Sequence, residues 1–362
     1  MSTYKLLTPG PLTTTKTVKE AMLVDHCTWD DAYKQITIDI CEDLLRLAHC
    51  SPDAYSCVLM QGSGSFGVES VLSSGIGESD QLLIITNGAY GNRMEEMASI
   101  LKLNYEVMNV PYNAQPDPNQ IDAYLSANPN ITHVAVVHCE TTTGILNDIE
   151  AIAKVVKSHN KILFVDAMSS FGGVEIEVEK LGIDFIVSSA NKCIQGVPGF
   201  SFVIAKNDEL VKTKGKERSL SLGLYAQWEE MKKDGKWRFT SPTHVVLAFA
   251  QALKELKEEG GIAARSKRYQ ANMDKVRAEF SALGLKPYLS TGVQSPIITT
   301  FEFPEDNFDF VQMYDFVKAR GFAIYPGKLL GLDTFRIGVI GEIYLADIDK
   351  LVQVIAEYLE SR

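Results

Sequence analysis

Apolar residues in this chain fall into two alternating patterns. Short unbroken runs, rich in β-branched and aromatic residues, recur at Tyr55–Met60, Leu82–Thr86, Thr132–Val137, Ile162–Val165, Phe185–Val187 and Phe200–Ala205. Runs of that length and type predict strands buried on both faces. A further strand is expected within Leu101–Val110. Between the runs the spacing becomes helical. Tyr33–Cys50 sets Ile36, Ile40, Leu44 and Leu47 on one face, and shorter helices are expected over Val68–Ser74, Ile121–Ala127 and Ile149–His159. Strand and helix alternating from residue 55 to 205 predict an α/β fold, doubly wound around a mainly parallel sheet.

The pattern changes near Glu259-Gly-Gly-Ile262, which ends a helix over Val246–Glu258. Beyond it come helices over Ala264–Leu283, Asp309–Arg320 and Leu345–Leu359, with strands at Ile297–Phe301, Ala323–Tyr325 and Phe335–Ile337. They predict a smaller α+β domain at the C-terminal end. At the other end Leu6–Leu12 is extended by its prolines, and a helix follows Thr13–Lys16 as far as about Asp25. The expected division is a large domain over 16–260 and a small one over 1–15 plus 261–362.

Chemistry is concentrated at the predicted strand ends, where open α/β sheets bind ligands. Asp166 ends one strand, and Lys192 follows the next in Ser188-Ser-Ala-Asn-Lys192. An amine can form a Schiff base with pyridoxal phosphate, and a carboxylate can keep that cofactor's ring nitrogen protonated. A buried ion pair is the other reading of these two residues. The strand Tyr55–Met60 runs into Gln61-Gly-Ser-Gly-Ser-Phe-Gly67 and then a helix. That arrangement binds phosphate through converging N–H groups and the helix dipole. Ser63 and Ser65 add hydroxyls suited to a terminal phosphate. A plain tight turn is the alternative. The same glycines fit G-x-G-x-x-G, but a dinucleotide site wants an acid after the next strand, and Asn87 stands there. Tyr90 lies between small residues at that strand end, as a ring stacked on a flat cofactor or as an ordinary loop tyrosine. Arg336 sits between Phe335 and Ile337. It reads as a bidentate carboxylate clamp or as an exposed edge-strand residue.

Composition narrows the choice. The 362 residues carry a net charge of −11, and no basic tract marks a nucleic-acid face. No apolar run approaches the roughly 18 residues of a membrane span, and the first residues lack a signal-peptide core. A cytoplasmic protein is expected, without membrane or nucleic-acid partners. The six cysteines form no CxxC pair, and three directly follow a histidine, on opposite faces of a strand. No metal site is expected.

Seven stretches in order, Thr8-Pro-Gly-Pro11, Gly62-Ser-Gly-Ser65, Gly88-Ala-Tyr-Gly91, Glu140-Thr-Thr-Thr-Gly144, Val165-Asp166, Ser189-Ala-Asn-Lys192 and Phe335-Arg-Ile-Gly338, resemble the class V aminotransferase group of fold-type I pyridoxal-phosphate enzymes. Cys27–Asp30, Val165–Gly173, Ser188–Phe200 and Phe239–His244 resemble the branch that acts on 2-aminoethylphosphonate and pyruvate. The resemblance implies a pyridoxal 5'-phosphate cofactor and the pyridoxal-phosphate-dependent transferase fold. It implies that Lys192 carries the cofactor and shuttles the proton, and that Asp166 pairs with the ring nitrogen. Tyr90 would stack on the ring, and Thr141 would lie near the ring hydroxyl. Ser63, Gly64 and Ser65 would bind the phosphate, with Thr240 reaching in from a second subunit of a homodimer. Arg336 would hold the substrate carboxylate. The implied reaction gives phosphonoacetaldehyde and L-alanine. Asn191 departs from the Gln or His of several relatives. A second cation for the phosphonate has only Lys16 and Arg93 as candidates. Another class V activity, such as alanine- or serine-glyoxylate transamination, remains an alternative. So do a nicotinamide-dependent dehydrogenase and a non-catalytic phosphate-ligand protein.

Overall fold

The computed structural model describes residues 4–327, 329 and 331–362. A seven-stranded sheet forms its centre. The strand order is Tyr55–Gln61, Phe200–Lys206, Phe185–Ser189, Ile162–Asp166, His133–Val137, Leu82–Thr86, Tyr105–Asn109. All pairings are parallel except those of Phe200–Lys206, which runs antiparallel to both neighbours. In register, Asp166 lies between Val137 and Val187. The inner strands are buried along their length, as their unbroken apolar sequences require.

The crossover helices show why the helical spacing was readable. Ile149–Ser158 buries Ile149, Ile152, Ala153 and Val156 on one stripe, and the Asp148 carboxylate caps its start by accepting from the Ala151 N–H at 3.0 Å. Such a cap stabilises a helix by about 1 kcal/mol.

The C-terminal part holds a three-stranded antiparallel sheet, ordered Ile298–Glu302, Thr334–Gly338, Tyr325–Pro326. Helices Gly261–Ala282, Phe310–Ala319 and Leu345–Glu360 belong to the same part. Lys5–Leu6 pairs in parallel with Phe322–Ala323, tying the chain's start to this region. One apolar core runs from Val18 to Leu256. A second combines Leu7 with residues from Met273 to Tyr358. Phe280, Phe301 and Phe335 stack within the second, their ring centroids 5.0 and 5.6 Å apart.

Several features differ from the sequence reading, among them the helix Ala89–Ile100, where only a loop around Tyr90 was expected. The helix after the glycine-rich turn starts at Gly64, not Val68. Two glycines inside it suggested a loop, since each costs about 1 kcal/mol in a helix. Packing overrides that cost: a Cβ on Gly67 would lie 2.7 Å from Ser201 Oγ, so the glycine lets helix and sheet approach closely. The charged stretch after residue 206 holds two unforeseen helices, Asn207–Val211 and Leu224–Asp234. The second buries Gln227 between Leu224 and Met231, and its side-chain amide donates to Leu59 O at 2.9 Å. The expected helix to Asp25 ends earlier, as Lys16–Glu20 and a 3-10 turn at Ala21–Leu23. No helix among the described residues is long and apolar enough to cross a membrane.

Candidate active site

A cleft of about 220 Å³ opens at the carboxyl ends of the parallel strands. It is lined by Ser63, Gly64, Ser65, Tyr90, Arg93, Asp166, Asn191 and Lys192, together with Met168 and other apolar side chains. Six of the nine residues singled out from the sequence therefore meet in one place.

Each is delivered by local structure. Ser63 caps the helix Gly64–Gly75 with extended backbone but makes no side-chain cap bond. The first amides of a helix have no partner within it, so this end faces the cleft as an anion cradle. A Cβ on Gly64 would fall 2.2 Å from Met168 Sδ, so a larger residue there would push the methionine side chain aside. Tyr90 stands in the first turn of Ala89–Ile100. The Arg93 guanidinium covers its ring at 4.8 Å and donates to Ser65 Oγ at 3.4 Å.

Asp166 ends its strand with Oδ1 accepting from the Met168 N–H at 2.8 Å. Burial pushes its carboxyl up to about 6, against the pull of that bond and of the Lys192 and Arg93 cations. Lys192 sits in a turn pinned by Gln195 N–H to Lys192 O at 2.7 Å and Gly196 N–H to Ala190 O at 2.9 Å. Its Nζ donates to Pro9 O at 3.1 Å. The N-terminal segment thus lies against the amine, and a Cβ on Gly10 would come 2.7 Å from Lys192 Cδ. Asn191 accepts from Ser189 Oγ at 3.1 Å.

Arg336 lies outside the set that lines the cleft. It is only 2% exposed and occupies the middle strand of the small sheet, which closes the edge-strand reading. Nε donates to Pro326 O and Nη1 to Thr141 O, both at 2.9 Å. It forms no ion pair among the described residues. Burial pulls the guanidinium down, while Tyr90, Tyr325 and Glu140 push it up. Thr141 is buried, with its carbonyl on Arg336, and Thr240 is exposed; neither lines the cleft. Lys16 is a surface residue, its side chain 87% exposed and paired with Glu20, which leaves Arg93 of the two candidates as a cation that lines the cleft beside Lys192.

A family model for aminotransferase class-V matches residues 46–330, more than half of the sequence. The chain belongs to the class-V aminotransferase family. A 2-aminoethylphosphonate--pyruvate transaminase of Lysinibacillus sphaericus is 61% identical over 359 residues, 99% of this chain and 98% of the relative. One of Bacteroides fragilis is 53% identical over 359 residues, 99% of each chain. Pyridoxamine-pyruvate aminotransferase from Mesorhizobium loti matches in structure with a TM-score of 0.91 at 25% identity, covering 100% of this chain and 94% of that one.

The family's cofactor is pyridoxal 5'-phosphate, and the cleft fits it. An open helix N-terminus with two hydroxyls suits the phosphate. A buried carboxylate held up by desolvation suits a protonated ring nitrogen, whose charge would restore its ionisation. An amine stands in the same cleft for the aldehyde. The nicotinamide reading ends here. Asn87 is buried and donates to Ala114 O at 3.0 Å and Asn147 Oδ1 at 2.7 Å, so the strand end offers a spent amide where a ribose needs an acid. Cys193, beside the lysine, is fully buried and its thiol is pushed well up, which makes a poor nucleophile.

Sequence reasoning gave no role to Glu140, although its motif was noted. Its carboxylate is completely buried and bonds the backbone that carries Tyr90. The signal was present as an acid directly after a buried strand, but its partners lie about fifty residues away.

Proposed function

We propose that this class-V aminotransferase moves the amino group of 2-aminoethylphosphonate to pyruvate, giving phosphonoacetaldehyde and L-alanine. The observation that carries the reading is the buried Arg336, a guanidinium without a carboxylate partner among the described residues, close behind the cleft that holds Asp166 and Lys192. A buried charge is costly unless something pairs with it, and both substrates bring an anion. Relatives bearing this activity in their names match the chain over 98–99% of their length.

When bound, pyridoxal phosphate supplies an aldehyde for the amino group and a ring that withdraws electrons from the substrate carbon. The residues act around it. Asp166, with one oxygen on the Met168 N–H, would use the other to keep the ring nitrogen protonated. Lys192 would bind the cofactor through its amine and, once released, would serve as the base and acid that carries the proton. While released, its Nζ rests on Pro9 O. Ser63, Ser65 and the first amides of Gly64–Gly75 hold the phosphate, with Arg93 as the nearby cation. Tyr90 would stack on the ring, and Thr141, just behind the cleft lining, would lie near its hydroxyl. Arg336 presents a fork that pairs with a carboxylate in one half-reaction and a phosphonate in the other, which a lysine does less well.

We propose further that the protein is a cytoplasmic homodimer with shared sites. The support is Thr240, which is exposed and outside the cleft of its own chain. Mixing inactive Lys192→Ala and Thr240→Ala protomers is the check: activity returns in the heterodimer, because one of its sites keeps both residues. A fully active monomer would exclude it. The division into 16–260 and 1–15 plus 261–362 is proposed on the separation of the two apolar cores.

The deciding experiment incubates the holoenzyme with candidate amines and oxo acids and follows alanine. 2-Aminoethylphosphonate with pyruvate is expected to react fastest. Much faster turnover with serine or glyoxylate would overturn the substrate assignment and leave the family untouched.

A further inference from the structure

The helix Ala89–Ile100 starts at Gly88, which has no side chain to cap it. Its first three amides have no partner within the helix, yet all are satisfied. The Ala89 N–H donates to Thr142 Oγ1 at 2.8 Å. The Tyr90 and Gly91 N–H groups donate to Glu140 Oε2 at 3.0 and 3.2 Å. The other oxygen, Oε1, accepts from the Thr142 N–H at 3.0 Å and hydroxyl at 2.6 Å. Glu140 is 0% exposed and absent from the cleft lining, so it does not touch the reacting groups. The glycine before the helix makes room for it: a Cβ on Gly88 would lie 2.3 Å from Glu140 Cγ.

Thr141, between these two residues, gives its carbonyl to Arg336 Nη1 at 2.9 Å. Three consecutive residues thus grip two parts of the site. Glu140 and Thr142 hold the helix end that carries Tyr90, on the large sheet. Thr141 holds Arg336, on the small sheet.

We propose that Glu140 is a positioning residue, the remote cap that fixes the Tyr90 ring over the cofactor and, through the 140–142 turn, sets its spacing from Arg336. This rests on the reading of Tyr90 as the stacking ring. A carboxylate suits the task because it only accepts, and four donors converge on it. An amide of the same shape cannot replace it. Its NH2 would face either the two helix amides or the Thr142 donors, and a donor left unpaired there is costly.

The test measures cofactor affinity by equilibrium dialysis, and the visible circular dichroism of the bound cofactor, for Glu140→Gln, Tyr90→Leu and the double variant. Glu140→Gln is expected to weaken cofactor binding roughly ten- to hundred-fold and to reduce the dichroic signal. The double variant is expected to bind no worse than Tyr90→Leu alone. Thr142→Val, which removes one hydroxyl from the same cluster, gives a smaller loss in the same direction, and serves if Glu140→Gln does not fold. Wild-type affinity and dichroism in a folded Glu140→Gln, or in Thr142→Val when only that variant folds, would overturn the proposal. So would losses that multiply in the double variant. If Tyr90→Leu alone leaves affinity unchanged, the stacking reading fails and takes this one with it; a loss confined to Tyr90→Leu removes only the role of Glu140.

Discussion

Asp166 and Arg336 are both buried charges at one site, but their surroundings differ. Asp166 ends a strand of the large sheet and shares its cleft with two cations, Lys192 and Arg93. Arg336 sits mid-strand in the small sheet, its Nε and Nη1 on backbone carbonyls, without an acid paired to it among the described residues. A carboxylate near amines is partly compensated before any ligand arrives. A guanidinium held by neutral partners, two carbonyls and the Tyr90 hydroxyl, keeps its charge for an incoming anion. The cofactor side is therefore the prepaired half, and the substrate side is the half that waits.

The hardest blow to this comparison falls on the prepaired half. Lys192→Ala should lower alanine formation by at least about 10⁴-fold, since it would remove the proposed nucleophile and proton carrier together. Retained turnover within tenfold of wild type would break the assignment. Borohydride reduction and peptide mapping should label Lys192 and no other lysine.

Next comes the cost of burying Asp166 without its ligand. Its carboxyl is raised from 3.8 to about 6 in the folded chain, so the native state binds the proton more tightly than the unfolded state. The penalty is absent below the unfolded value and grows as pH rises through the folded one. The cofactor-free protein should lose about 3 kcal/mol between roughly pH 4 and pH 6, relative to Asp166→Asn. Urea midpoints against pH would show it. Bound cofactor should flatten the slope by supplying the missing positive charge; equal slopes with and without cofactor would contradict the pairing.

The smallest effect belongs to the waiting half. Arg336→Lys keeps the charge but loses the fork, and should raise the KM for pyruvate roughly ten- to hundred-fold. Cofactor affinity should hardly change. A variant that loses cofactor and keeps its KM would reverse the two halves.

The prepaired half was legible in the sequence because strand ends and glycine turns are local. Asp166 and Lys192 each follow a short apolar run, and Ser63 and Ser65 flank Gly64 at the start of a helix. Arg336 was legible as a candidate, but whether its strand lay inside or at an edge depends on Ile298–Glu302 and Tyr325–Pro326 pairing on its two sides. Glu140 was the least legible. Its meaning comes from a helix end fifty residues earlier, and no spacing rule connects the two. The helix Leu224–Asp234 was missed for a similar reason, since Gln227 is buried by a bond to a distant carbonyl.

The contact between Pro9 O and Lys192 Nζ has a consequence in time. The segment that makes it is tethered through Lys5–Leu6 to Phe322–Ala323. Its docking strand therefore leaves the ribosome after all seven strands of the large sheet. Chains fold from the amino end as they are made, so the seven strands of the large sheet are all available once Lys206 has emerged. Until Phe322–Ala323 follows, the segment that carries Pro9 lacks the strand it docks on. The contact on the amine thus joins two parts of the chain that are made far apart in time.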